Sequence, residues 1–131
     1  MDRAVMQGVR MKRIALALLA CAIAGTAIAG SNKWRLQVSG GAESDGTIAF
    51  TIALDDGQRI PVTVDIKKGT GENNVAKRIS DAVRAQAAAC CKSEVDDGED
   101  VLVKKKRGQP DLDVVDIQIS VKGVRITKDR E

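Results

Sequence analysis

Only one stretch of this chain spaces its apolar residues for a helix. In "KKGTGENNVAKRISDAVRAQAAACC", Lys67 to Cys91, the residues Val75, Ile79, Ala82, Val83, Ala87 and Cys90 fall on one stripe of a 3.6-residue period, with Lys77, Asp81 and Arg84 opposite. Thr70 is the expected N-cap, and Glu72 stands in the first turn, where a carboxylate suits the helix dipole. Most of the chain from Lys33 onward alternates with period two instead. One amphipathic helix among many half-buried strands buries its stripe by lying on the apolar face of a sheet.

The alternating runs are separated by clear turn signals. Trp34, Leu36 and Val38 share one face, with Lys33, Arg35 and Gln37 on the other, and "SGGAESDG" then reads as a flexible loop. Ile48, Phe50, Ile52 and Leu54 precede an Asp-Asp-Gly turn, and Ile60, Val62, Val64 and Ile66 follow it. Alternation on both sides of Asp-Gly is a hairpin signal. Pro61 has no N–H to give to a ladder, so its strand is expected at an edge or at a bulge. After the helix, "CKSEV", the acidic turn "DDGED" and "VLVKKKR" predict a second hairpin. In "DVVDIQISV" the residues Val115, Ile117, Ile119 and Val121 share a side, and Gly123 shifts the phase into a last short strand. The expected fold is α+β: one amphipathic helix packed on a mostly antiparallel sheet of about five or six strands, preceded by a cleavable signal helix.

That signal helix occupies residues 1–29. Lys12 and Arg13 stand before an apolar run from Ile14 to Ala29, and Ala27-Ile28-Ala29 forms a small-x-small end. These are the parts of a secretory signal, with cleavage expected before Gly30 and one domain over residues 30–131. The run is shorter than the roughly 20 apolar residues of a membrane span. "LLAC", Leu18 to Cys21, offers a second reading as a bacterial lipobox that would put a lipid on Cys21. The short apolar stretch before Cys21 and the apolar "AIAGTAIAG" after it favour cleavage after Ala29. Met11 is an alternative start. The expected location is therefore outside the cytoplasm: periplasm, cell surface or medium.

Removing the leader takes away four of the 21 basic and one of the 18 acidic residues, leaving 17 of each. The basicity of the whole chain belongs to its leader, and no net positive field remains to favour nucleic acid or an anionic membrane. The chain has no His, and after cleavage Trp34 and Phe50 are its aromatics. Without imidazole there is no Ser/His or Cys/His nucleophile pair, and two aromatics make no stacking platform. No enzyme activity, cofactor or metal is expected.

The stretch "GTIAFTIALDDGQRIPVTVDIKKGTGENNVAKRISDAVRAQ" followed by "SEVDDGEDVLVKKK" resembles the small β-β-α-β-β module of phage tail and bacterial surface or appendage structural proteins. The shared features are an apolar hairpin, a Gly-Thr helix start (Gly69-Thr70), Val75-Ala76 with Ile79 and Ala82, and a second hairpin, over residues 46–107. The resemblance implies a scaffolding or assembly role and carries no catalytic residues. The leader points to the surface members, because tail proteins assemble in the cytoplasm.

Three clusters are candidates for contact with something else. Asp96, Asp97, Glu99 and Asp100 surround Gly98 as weak metal candidates, although their spacing is not that of an EF-hand, and a solvated hairpin turn is the favoured reading. Lys104, Lys105, Lys106 and Arg107 read as a solvated strand end, with docking onto an acidic partner as the alternative. Cys90 and Cys91 are the thiols left after cleavage. Cys90 is expected in the core and Cys91 at the surface, where an intermolecular bridge would make a disulfide-linked dimer, since adjacent cysteines close only a strained ring. The expected partner is a second copy or another exported protein, joined at a sheet edge such as the Pro61 strand or Ile117–Val121.

Overall fold

A computed structural model describes residues 30–131. The expectations for the leader, including cleavage before Gly30 and lipid on Cys21, concern residues outside the described ones. The elements follow in the order β1 (Lys33–Ser39), β2 (Gly46–Leu54), β3 (Arg59–Ile66), α1 (Glu72–Gln86), β4 (Cys91–Asp96), β5 (Asp100–Lys105), β6 (Leu112–Ile119) and β7 (Arg125–Arg130). The β-β-α-β-β order over residues 46–105 is as the sequence predicts.

The strands number seven rather than five or six, and they form two antiparallel sheets rather than one. One sheet runs β4-β5-β1-β7 and the other β3-β2-β6. Alternation reveals which face of a strand is apolar but not which strands share a ladder. The two predicted hairpins, β2–β3 and β4–β5, go to different sheets. The buried faces of both sheets and the helix stripe merge into a single core that includes Leu36, Ile48, Ile52, Ile79, Val101 and Leu112. Helix α1 closes one side of this sandwich, lying against β3 of one sheet and against β4, β5 and β1 of the other. The opposite side is closed by an isolated bridge between Ser31 and Leu112. There the Trp34 indole Nε1–H also donates to the Leu112 carbonyl at 2.6 Å. Lys128 Nζ reaches both the Asp113 carboxylate and the Val114 carbonyl, each at 2.8 Å.

The helix start differs from its expected form. Gly71, not Thr70, is the N-cap, and no side chain caps it. The Thr70 hydroxyl donates back to the Lys67 carbonyl, which closes the preceding turn. Glu72 does sit in the first turn, and its carboxylate accepts the Gly40 N–H at 2.8 Å. The buried face is Val75, Ala76, Ile79, Ser80 and Val83, so the expected stripe holds with Ala82 at its half-buried margin.

The stripe ends earlier than predicted. Ala87 is the C-cap, and Cys90 lies beyond the helix in a turn in which both Cys90 and Cys91 N–H groups donate to the Ala87 carbonyl. That turn brings the sulfurs of neighbouring residues together, and Cys90 and Cys91 are bonded to each other. The expectation of an exposed Cys91 free for an intermolecular bridge is overturned, because Cys91 is 1% exposed. Helical period no longer sets its direction, since it is the first residue of β4.

Strand β6 departs from the expected phase as well. Its fully buried apolar residues are Leu112 and Val114, while Val115 is half-exposed. The register with β2 shifts between Ala49 and Thr51, and Asp116 takes a positive φ of 55°. This bulge, not Gly123, makes the first change of phase, after which Ile117 and Ile119 face inward. Gly123 serves the turn that follows. A β-carbon at Gly40 would run into the Gly123 carbonyl oxygen, so the two loops interlock backbone to backbone.

Candidate functional site

A two-sheet sandwich has four edge strands, and each presents a row of backbone donors and acceptors unless something takes them up. Here three edges are taken up or guarded.

On β3 the even residues bond to β2, as the Leu54 N–H to Gln58 carbonyl contact fixes, so Arg59, Pro61, Thr63 and Asp65 face outward. Pro61 has no donor to offer. Gln86, the last residue of α1, accepts the Thr63 N–H and donates to the Thr63 carbonyl, both at 2.9 Å. A side-chain amide thus takes the place of a neighbouring strand. The Pro61 strand is an edge, as predicted, but a closed one.

On β6 the outward groups of Leu112 bond to Ser31, and the Val114 carbonyl bonds to Lys128. The bulge at Asp116 interrupts the rest of the row. Strand β6 ends at Ile119, and Val121 is buried in the turn after it, so Ile117–Val121 is not the uninterrupted edge expected. Strand β7 carries Lys128 and Arg130 on its inner face, over the Trp34 ring at 4.6 and 5.4 Å. Inward-pointing charges on an edge strand oppose the approach of another strand.

Strand β4 has no proline, bulge, inward charge or substitute partner, but α1 flanks it, and Cys91 and Ser93 in it are only 1% and 6% exposed. Lys106 N–H donates to Cys90 and Val38 N–H to Glu99, which sets the even residues of β4 against β5 and leaves the backbone groups of Cys91, Ser93 and Val95 facing outward. Cys91 N–H is used by Ala87, but among the described residues nothing bonds to the outward backbone groups of Ser93 and Val95. A trough runs beside this edge. Its floor at one end is Cys91 and Ser93, in a cavity of about 420 Å³, and it continues past Glu94 and Val95 as a second cavity of about 430 Å³. The far wall is one flank of α1, formed by Asn73, Lys77, Asp81 and Arg84.

The outer face of the sheet beside this edge is charged in rows. Lys92 stands opposite Lys104, and Lys104 stands opposite Lys33, a line of three lysines across three strands. Glu94 pairs with Lys104 at 2.8 Å, and that hydrogen bond, reinforced by the nearby lysine charges, holds its carboxyl below the usual glutamate value.

The predicted basic run does not act as one patch. Lys104 is on Glu94, Lys105 pairs with Asp111 at 3.0 Å, Lys106 Nζ donates to the Ala88 carbonyl, and Arg107 is exposed in the next turn. Lys104 and Lys106 reach the trough, while Lys105 and Arg107 do not line it.

The acidic turn is also divided. Asp97 and Gly98 take positive φ at its tip, and Asp96 and Asp100 turn to Arg35 at 3.4 and 2.5 Å. Among the described residues no group of three or more His, Cys, Asp or Glu side chains is arranged to hold a metal ion. Among them, too, no helix is long and apolar enough to cross a membrane.

Sequence reasoning missed Gln86, Lys128 and Arg35. Each is a polar residue whose partner lies far along the chain, and nothing local announces the pairing. No protein-family model matches this chain, and no curated protein matches it.

Proposed function

We propose that this chain is a small exported domain without catalytic machinery that works by joining a sheet edge to another polypeptide, in the first instance to its own copies. One observation carries the reading: of the four edges, β4 alone has neither a proline, a bulge, an inward charge nor a substitute partner. Export rests on the Lys12–Ala29 leader, with cleavage before Gly30. The absence of His throughout the sequence supports a non-enzymatic role. A second reading, a periplasmic accessory or inhibitor module that grips one soluble partner, is favoured by the trough beside β4, which is shaped to take an extended segment. Light scattering over a concentration series separates the two. Self-association predicts a mass that rises with concentration toward a defined oligomer. A constant monomer mass up to about millimolar protein would leave only the single-partner reading.

A further inference from the structure

The acids and bases of residues 30–131 balance in number but not over the surface. On the strands, Arg59 lies on Asp116, Lys104 on Glu94, Lys105 on Asp111 and Lys128 on Asp113. Lys67, Lys68, Lys77 and Arg78 are different. All four are exposed, and among the described residues none of them stands in an ion pair. They line one cavity of about 550 Å³, open to solvent between the loop after β3 and the first turns of α1. We infer that this cavity is a binding site for a multiply charged anion built from phosphate groups. Occupancy of this site requires neither self-association nor a partner strand.

Helical spacing and a fixed loop bring the four cations to one place. Asn74, Lys77, Arg78 and Asp81 stand at i, i+3, i+4 and i+7, so they share a face of α1. Lys67 and Lys68 line the same cavity from a loop whose main chain is tied down. The Thr70 N–H and hydroxyl donate to the Lys67 carbonyl, the Gly69 N–H to the Ala42 carbonyl, and the Lys68 N–H to the Asp45 carboxylate. The backbone positions of the cations are therefore set before anything binds. Acids do not fill the space. Asp81 is the acid in the lining, and Arg84 occupies it at 2.5 Å. The Glu72 carboxylate is turned to the Gly40 N–H, and neither it, Asp45 nor Asp65 lines the cavity. Like charges gathered around one space repel one another until an anion enters it.

The donors select the class of anion. Three ammonium groups and one guanidinium carry more charge than a single carboxylate can neutralise. A phosphate group accepts hydrogen bonds in several directions and takes a guanidinium fork in bidentate fashion, so it can meet loop and helix together. Linked phosphates match the charge, and Asn74 adds an uncharged amide donor in the same lining.

Isothermal titration calorimetry of the purified protein with inorganic tripolyphosphate at low ionic strength tests the site. The wild type should bind it, with an affinity that falls as salt is raised. Lys67→Gln/Lys68→Gln and Lys77→Gln/Arg78→Gln change exposed residues, and each pair should raise the dissociation constant about tenfold or more. Lys92→Gln/Arg107→Gln removes the same charge from exposed residues outside this cavity and should leave the constant within about twofold. Citrate, with carboxylates in place of phosphates, should bind about tenfold more weakly or worse. Co-sedimentation with vesicles containing phosphatidic acid separates the sources of the group. Retention that both cavity variants abolish places the phosphate on a lipid headgroup, and tripolyphosphate binding without retention places it on a soluble compound. No binding of tripolyphosphate, an equal loss in the Lys92/Arg107 variant, or equal affinity for citrate would overturn the phosphate site.

Discussion

Ser80 illustrates what a single side chain does in this core. It sits on the buried face of α1, completely enclosed, and its hydroxyl lies 2.9 Å from the hydroxyl of Ser93, also buried, on β4. Each satisfies the other, so a polar pair fastens helix to edge strand inside an apolar setting. Ser80→Ala should therefore cost about 1–3 kcal/mol, the desolvation of a buried hydroxyl left without its partner. The Ser80→Ala/Ser93→Ala double variant should recover part of that loss, and urea denaturation of both variants checks it. The apolar residues at this scale are legible in the sequence. Val75, Ile79 and Val83 announce themselves by period. Ser80 does not, because a serine on an apolar stripe has no reading until its partner is known. Cys91 escapes for a related reason: its direction follows from a turn that ends the helix early, and helical phase carried past Gln86 gives the wrong face.

Between elements, Arg35 is the main electrostatic fastener. From β1 it reaches Asp100 at the head of β5 at 2.5 Å and Glu131 just past β7 at 3.0 Å, so one guanidinium ties together both neighbours of its strand. Hydrogen bonding from Arg35 holds the Glu131 carboxyl below its ordinary value, and its bonds to Glu131 and Asp100 raise the guanidinium above its own. The depressed carboxyl is deprotonated more readily in the folded than in the unfolded chain. Its contribution is complete above the unfolded glutamate value of about 4.3 and is lost as pH falls through the lower folded value. Urea midpoints should decline from about pH 5 to about pH 2, and Glu131→Gln should show a shallower decline over that range. Helix and hairpins are readable from period and from the Asp-Gly turns. The division into two sheets is not, because it depends on β1 choosing β5 and β7 as neighbours. The edges are half readable: Pro61 marks an edge in any fold, but its closure depends on Gln86, which lies in a different element on the far side of a turn.

For the whole molecule, the balance of charge and the leader make one statement together. Residues 30–131 hold 17 acids and 17 bases, so the net basicity of the whole chain lies in its first 29 residues. Expressed with its leader in a secreting bacterium, the protein should be recovered outside the cytoplasm with an intact mass that starts at Gly30. A mass retaining Met1 or Met11, or one carrying lipid on Cys21, would overturn the assignment. The topology bears on how such a chain travels. Strand β1, residues 33–39, lies between β5 and β7, and β2 pairs with β6. Neither sheet can be completed by local pairing, so each must wait for strands that lie far downstream in the chain. Non-local pairing of this kind slows folding, because loop closure must be met before the contacts that reward it can form. For the proposed export this is a matter of timing. Under that proposal β1 would enter a translocation channel ahead of both its partners, so neither of its ladders could form until β5 and β7 had followed it.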